Sequence, residues 1–594
     1  MIRKPLRPLA SVLHARSAGE NPDQIERANL RERHEEMRNK GRARAEGRLL
    51  IMGALFAGAF LTVGARMAVV SMSEATEPRT SYAGSRIQAE RADIVDRKGR
   101  ILATNLETHS IYAHPHEMID PAYAAQKLAE IFPDLDAEKL ERRFKDGRKF
   151  YWVKKKISPE QKQAVHDIGE PGLLFGRREM RLYPNGRLAA HILGGASFGE
   201  EDVHDAELVG VAGVEKYFDD ALRDPANGDK ALTLSIDLTV QAAAERVLWG
   251  GMKLMNAKGA SSVLMDAHTG EIVSMVSLPD FDPNNRPNPP VQGQAADSPL
   301  FNRAVQGLYE LGSTFKIFTA AQSMELGLAD PETKINTAGP LRWGKFKIRD
   351  FRNYGAQLTV TKVIVKSSNI GTARMAQVIG AVRQQEFLKQ LGFFEPTPVE
   401  LVEAKGAQPL LPKNWSELST MTISYGHGMS ASPLHLAAGY AAIANGGTKV
   451  VPTILKQDEV AKGPRVMSAA SAEASRLMLR KVVSEGTASF GEVPGYAVGG
   501  KTGTADKPLE NGRGYYDDKV IATFAAMFPA HDPKYVLILS LDEPVETSGD
   551  EPRRTAGWTA VPVAAEMITR VAPLLGLRPE VEPAPLADIT LTSN

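Results

Sequence analysis

Between Leu49 and Val70 the chain reads LLIMGALFAGAFLTVGARMAVV, apolar except for Thr62 and Arg66. A helix of about 20 such residues is long enough to cross the hydrocarbon core of a bilayer, and an arginine near its end can snorkel to the headgroups. The segment divides everything else: residues 1–48 stand on one side, and all that follows residue 71 must fold on the other. A signal peptide is the alternative, but its apolar stretch is shorter, lies nearer the start and ends in a small-residue cleavage site. Residues 1–48 carry 12 Lys/Arg against 7 Asp/Glu, and a basic flank places that side in the cytoplasm. A basic terminus also suits nucleic acid, yet the adjoining span assigns the charge to the membrane surface, and no nucleic-acid partner is expected. The net charge of +1 hides this asymmetry, since the remainder carries 60 Lys/Arg against 64 Asp/Glu.

The exported part is too long for one ordinary domain. Its composition, within a chain 43% hydrophobic and 24% charged, is that of a globular protein. There is no cysteine, which excludes disulfides, thiol nucleophiles and cysteine metal sites. Residues 24–48 read as a solvated, mixed-charge helix. Residues 71–232 read as a first exported domain of mixed strands and helices. It contains a hairpin signal in RIQAERADIVDRKGRILA (86–103), a strand-like run Phe150-Tyr151-Trp152-Val153 before the basic patch 154–156, and a break at Pro225-Ala226-Asn227-Gly228. From 233 to 575 the character changes. Residues 232–236 read as a strand and 239–255 as a helix, and Ser262–Asp266 and Glu271–Val276 flank a glycine turn as a hairpin. Residues 279–300 are a Pro- and Asn-rich loop. Helical stretches are expected near 313–326, 360–380, 432–445 and 468–485, and strands at 521–528 and 535–541. Strands at both ends with helices between predict an antiparallel sheet covered by helices. Residues 576–594 read as a loose tail.

Three short motifs carry chemistry. In Leu311-Gly312-Ser313-Thr314-Phe315-Lys316 the apolar spacing predicts a helix ending at Gly327, with Ser313 in its first turn and Lys316 three residues on, on the same side. A serine hydroxyl needs a base before it attacks, and a neutral lysine can serve. Alone, the serine is as readily a helix cap. In Lys366-Ser367-Ser368-Asn369, Ser367 offers a hydroxyl for proton relay and Asn369 an amide for a substrate carbonyl; alone, it is a polar turn. In Gly499-Gly500-Lys501-Thr502-Gly503-Thr504-Ala505, Gly503 permits close approach of a substrate backbone to a strand edge. Lys501 supplies positive charge for a carboxylate, and Thr502 and Thr504 add hydroxyls.

In that order the three motifs resemble those of the serine penicillin-recognising enzymes. Arg91-Ala92-Asp93-Ile94-Val95-Asp96-Arg97-Lys98-Gly99 and Gly210-Val211-Ala212-Gly213-Val214-Glu215-Lys216 are similar to pedestal segments of class B penicillin-binding proteins, with Ala92 where the family has glycine and Leu311 where it has proline. The basic tail, the segment 501–507 and Leu541-Asp542-Glu543-Pro544 look most like the division-specific transpeptidase. The resemblance implies an α+β fold: one transmembrane helix (49–70) after a cytoplasmic tail (1–48), a mixed pedestal domain (71–232), then a transpeptidase domain (233–575) with an antiparallel sheet flanked by helices.

It also implies roles. Ser313 would attack the penultimate D-Ala carbonyl of a D-Ala-D-Ala stem peptide. Lys316 would take its proton and Ser367 would relay one to the leaving amine. Backbone amides of Ser313 and Thr504 would form the oxyanion hole, Lys501, Thr502 and Thr504 would anchor the terminal carboxylate, and Asn369 would hold the peptide backbone. No metal or organic cofactor is implied. Expected partners are peptidoglycan stem peptides, β-lactam antibiotics, a polytopic glycan-strand polymerase and other division-complex membrane proteins. His427, in a loop resembling one near the family's active site, is read as loop packing, since Lys316 already supplies a base. An elongation-specific transpeptidase, a penicillin-binding sensor or hydrolase, and a mainly structural division scaffold are the other readings.

Overall fold

The structure, a computed structural model, describes residues 7–72, 91–201, 206–227, 230–459, 463–509 and 514–580. Residues 73–90, with the start of the 86–103 hairpin segment, Gly228 of the expected break, and residues 581–594 of the expected tail lie outside the described residues.

The chain divides into two compact units, the first comprising residues up to 77, 112–152 and 165–174. Here the mixed-charge helix and the apolar run form one unbroken helix, Asp23–Met72, of 50 residues. Its segment Glu46–Ala68 has a mean hydropathy of 1.8, is long and apolar enough to cross a membrane, and is packed against nothing. Helices Pro121–Ile131 and Ala137–Phe144 each begin at an aspartate, Asp120 or Asp136, whose carboxylate accepts an otherwise orphaned first-turn N–H.

In the second unit the Arg91–Gly99 segment shows why its charges are there. Ile94–Val95 pairs antiparallel with Ala103 and Ile101 and parallel with Leu232–Thr233. Arg91 is buried, donating to Glu215 at 2.7 Å and Asp219 at 2.8 Å, and Arg181 donates to the other Glu215 oxygen at 2.7 Å. Each buried charge thus meets an opposite one. Asp96 closes its own turn by accepting from the Lys98 and Arg100 amides, with Gly99 at φ +79°. Its second oxygen accepts from Leu238 N–H at the start of a helix, and Arg100 bridges Asp96 and Asp237. Ala92 has no positive φ, so its backbone does not call for the family's glycine.

The centre of this unit is a five-stranded antiparallel sheet: β1 (Gly259–Asp266), β2 (Ile272–Leu278), β3 (Gly499–Pro508), β4 (Tyr515–Phe528) and β5 (Tyr535–Asp542), in the order β3-β4-β5-β1-β2. Successive residues Val536, Leu537, Ile538 and Leu539 are all fully buried, so both sheet faces are covered. Helix α1 (Leu238–Leu254) packs with α6 (Ala560–Leu574); α4 (Pro433–Ala444), buried on every side, packs with α5 (Ala469–Glu485). Between them α2 (Lys316–Glu325) and α3 (Asn369–Ile379) carry the first two motifs.

The expected strand at 232–236 is ordered as strand only over Leu232–Thr233; Leu234 makes a lone bridge to Leu455. The basic patch 154–156 lies inside the strand Tyr151–Ile157. The helix expected over 360–380 is two helices, Val360–Val365 and α3, broken at Lys366–Ser368.

Candidate active site

Ser313 lies in a tight turn, Gly312–Phe315, that runs directly into α2, the Lys316 amide donating to the Ser313 carbonyl. Three backbone segments meet around this turn with no room for side chains. A Cβ on Gly503 would come within 2.4 Å of the Leu311 carbonyl oxygen, one on Gly312 within 2.9 Å of the Thr504 oxygen, and one on Gly426 within 2.0 Å of the Gly312 oxygen. Gly312 (φ +55°) and Gly426 (φ +86°) also occupy the left-handed region that favours glycine. Gly503 is therefore required first by the chain's own packing: β3 presses against the serine turn. Leu311, at φ −89°, lies outside proline's narrow range, in keeping with its replacement of that residue.

Lys316 points from the first turn of α2 into the protein and is fully buried. The i+3 spacing suggested that its amine would meet the Ser313 hydroxyl. Instead Nζ donates to the Ser367 carbonyl at 2.5 Å and to Ser367 Oγ at 3.0 Å, drawn by two oxygens from another element. Burial, then the charge of Lys501, hold the Lys316 amine well below the ordinary lysine range, and Asp350 opposes them. A shift in that direction favours the neutral amine, the form a base requires.

Ser367 has φ +61°, uncommon for a residue with a side chain. The conformation is held from both sides. The helix Val360–Val365 ends as Ser367 N–H donates to the Ile364 carbonyl. Buried Ser368 then caps α3, accepting from Gly371 N–H and donating to Asp350 at 2.7 Å. The kink is what turns the Ser367 hydroxyl toward the lysines. Asn369 donates its side-chain amide to the Arg349 carbonyl at 2.9 Å, and Asp350 accepts from Ile370 N–H.

From β3, fully buried Lys501 donates to Ser367 Oγ at 3.0 Å and to the Thr502 carbonyl at 3.1 Å. Burial lowers its amine to about 7. Thr502 bonds the Thr487 hydroxyl at 2.9 Å, and Thr504 Oγ1 accepts from Ala556 N–H at 3.0 Å. Hydrogen bonds thus join Lys316, Ser367 and Lys501, the close approach of Gly503 to Leu311 sets β3 against the Ser313 turn, and Asn369 begins the helix that follows Ser367, so residues nearly two hundred positions apart are brought together. His427 is set between the rings of Tyr425 (5.4 Å) and Tyr515 (6.5 Å); beside it Glu310 accepts from Gly428 N–H and the Tyr515 hydroxyl.

Sequence reasoning missed Asp350 and the pair Glu310–Tyr515. Asp350 sits in Arg349-Asp350-Phe351-Arg352, which has no periodicity, and only the fold shows it to be the carboxylate under Ser368.

Residues 260–566 match the penicillin binding protein transpeptidase domain family, and residues 86–234 the penicillin-binding protein dimerisation domain family. The chain is similar to the probable peptidoglycan D,D-transpeptidase FtsI of Caulobacter vibrioides, 36% identical with 84% of each chain covered. It is also similar to the peptidoglycan D,D-transpeptidase FtsI of Escherichia coli, 28% identical over 77% of this chain and 80% of that one. Among solved structures, penicillin binding protein 3 of Mycobacterium tuberculosis, complexed with aztreonam, superposes with a TM-score of 0.62 at 27% identity, covering 83% of this chain and 98% of that one.

Proposed function

Because the chain belongs to the class B penicillin-binding proteins, with a dimerisation domain followed by a transpeptidase domain, we propose that it is a serine D,D-transpeptidase cross-linking peptidoglycan stem peptides at the division septum. The observation that carries this is the convergence of two buried, charge-suppressed lysines on Ser367 Oγ beside the Ser313 turn.

The geometry supports a stepwise assignment. Neutral Lys316 takes the Ser313 proton, through Ser367, as Ser313 Oγ attacks the penultimate D-Ala carbonyl. The tetrahedral oxyanion is held by backbone N–H groups of Ser313 and Thr504. Ser367 passes the proton to the departing D-Ala nitrogen, the C–N bond breaks, and an ester remains on Ser313. An amine from a neighbouring stem peptide then attacks the ester, loses its proton back through the same relay and restores the Ser313 hydroxyl. Lys501, carrying the positive charge, pairs with the substrate's terminal carboxylate, with Thr502 and Thr504 adding hydrogen bonds, and Asn369 faces the peptide backbone. A β-lactam follows the first half of this path and stays on the serine.

The apolar helix anchors the chain in a membrane. The basic excess before it supports an orientation with residues 1–48 cytoplasmic, the pedestal (71–232) and transpeptidase domain (233–575) outside, and 576–594 as a tail. Gly53, Ala57 and Gly64 offer a small-residue surface for a polytopic glycan-strand polymerase of the division complex. The septal reading rests on the two FtsI relatives. Three measurements test these points. A β-lactam adduct should map to Ser313 and vanish in Ser313→Ala. A reporter active only outside the cytoplasm should work when fused after residue 75 and fail at residue 40. Depletion should give filaments with unfinished septa; rounded, swollen cells would point to elongation instead.

A further inference from the structure

Next to the Ser367–Asn369 turn lies a cavity of about 330 Å³, lined among others by Thr337, Arg349, Asp350, Arg352, Tyr354 and Ile370. Its charges are one-sided. Both Asp350 oxygens are occupied, by Ser368 Oγ and Ile370 N–H, so the only carboxylate of the cavity is turned toward the catalytic turn. Arg349 and Arg352 are exposed, and neither has an ion pair among the described residues. Lys366, the residue before Ser367, stands 5.9 Å over the Tyr354 ring at the same rim. The segment bearing the arginines is fixed to the active site, because Asn369 holds the Arg349 carbonyl at 2.9 Å and α3 begins on Asp350.

We propose that this cavity is a second carboxylate-binding subsite, which takes a free carboxylate of the stem peptide upstream of its D-Ala-D-Ala end. The inference rests on the transpeptidase reading and extends it. A stem peptide whose terminal carboxylate lies at Lys501 and whose backbone passes Asn369 has its upstream part directed along the start of α3, where Arg349 and Arg352 wait unpaired. Guanidinium groups recognise carboxylates through paired N–H donors, and because these two arginines are exposed the attraction is weakened by salt. The subsite binds and orients; no proton or bond changes hands there.

The test uses the full-length protein in detergent and two synthetic D-Ala-D-Ala pentapeptides, one with free upstream carboxylates and one with those carboxylates amidated. The parent should turn over the free-acid peptide with a kcat/KM about tenfold higher, chiefly through KM, and added salt should shrink the ratio. R349Q/R352Q should bring the ratio close to one while benzylpenicillin acylation stays within about twofold, and R349K/R352K should recover part of the preference. Equal turnover of both peptides by the parent would overturn the proposal. So would an unchanged preference in R349Q/R352Q, or loss of penicillin acylation there, which would make the arginines supports of the catalytic turn. Turnover of neither peptide would sink the transpeptidase reading itself, and the subsite with it.

Discussion

Lys316 and Lys501 donate to one and the same oxygen, Ser367 Oγ, each at 3.0 Å. Two ammonium ions sharing so small a buried volume repel one another, and neither has a carboxylate in contact. Burial lowers both, and the charge of Lys501 depresses Lys316 further. The charged form of Lys316 is thus opposed by two causes where that of Lys501 is opposed by burial alone, which supports the proposed roles of Lys316 as base and Lys501 as partner of the substrate carboxylate. Unequal surroundings are what the proposed roles ask of two identical side chains.

The rate of Ser313 acylation should consequently fall as pH drops and Lys316 takes up a proton. Binding of anionic substrates to the empty enzyme should weaken as pH rises through about 7, where Lys501 loses its charge. Lys316→Arg, protonated at every accessible pH, should acylate at least about a hundredfold more slowly by rapid-quench mass spectrometry. A rate like the parent's would remove Lys316 from the base role.

Asp350 pulls the Lys316 amine upward against burial. Asp350→Asn keeps an oxygen for Ile370 N–H while removing the charge. The acidic limb of the acylation profile should then move to lower pH. A limb that stays in place, in a variant with an unaltered melting curve, would show that Asp350 acts only as a cap.

Lys501 costs stability. Its folded value of about 7 lies below the unfolded 10.5, so the native state binds fewer protons between those limits. The penalty is therefore full below about pH 7, about 5 kcal/mol, and disappears as pH approaches 10.5. Lys501→Met should be inactive yet more stable than the parent at pH 6, with the difference narrowing toward pH 10 in urea titrations. The lost hydrogen bonds offset part of the gain.

Gly426→Ala would force a methyl group into the Gly312 carbonyl at 2.0 Å and leave alanine at φ +86°. A destabilisation of about 3 kcal/mol is expected, with slowed acylation because the displaced atoms belong to the serine turn. Gly428→Ala is the control: its nearest contact is a hydroxyl at 3.3 Å, so only the backbone strain at φ +83° remains.

What could be read in advance follows from the range of the interactions. The apolar span, the hairpin of β1 and β2, and the helix after Ser313 rest on local pattern, and all three stand in the structure. The helix expected over 360–380 overran a break that Lys366-Ser367-Ser368-Asn369 signals as a polar turn; what local pattern does not encode is the positive φ at Ser367 and the bond from Ser368 to Asp350 on another segment. The same holds for Lys316. Spacing along one helix pointed to Ser313, while tertiary packing supplied Ser367 as a better acceptor. Gly503 was recognised as a place of close approach, but that the approaching backbone is Leu311 depends on contacts no sequence pattern encodes.

β3 is the outermost strand of its sheet, paired only with β4. An unpaired strand edge is where proteins aggregate, since its free N–H and C=O groups accept any extended chain, including another copy of themselves. A peptide-binding enzyme cannot cover that edge. The residues along it suggest how the hazard is contained: Lys501 places a charge on the inward face, Asp506 and Lys507 follow, and Pro508 closes the strand. Inward charges, lysine and proline are the devices by which solvent-exposed edges discourage pairing. The lysine proposed to recognise a carboxylate thus also makes the strand a poor template for anything without one, so that in the proposed reading selectivity for substrate and resistance to self-association rest on the same side chain.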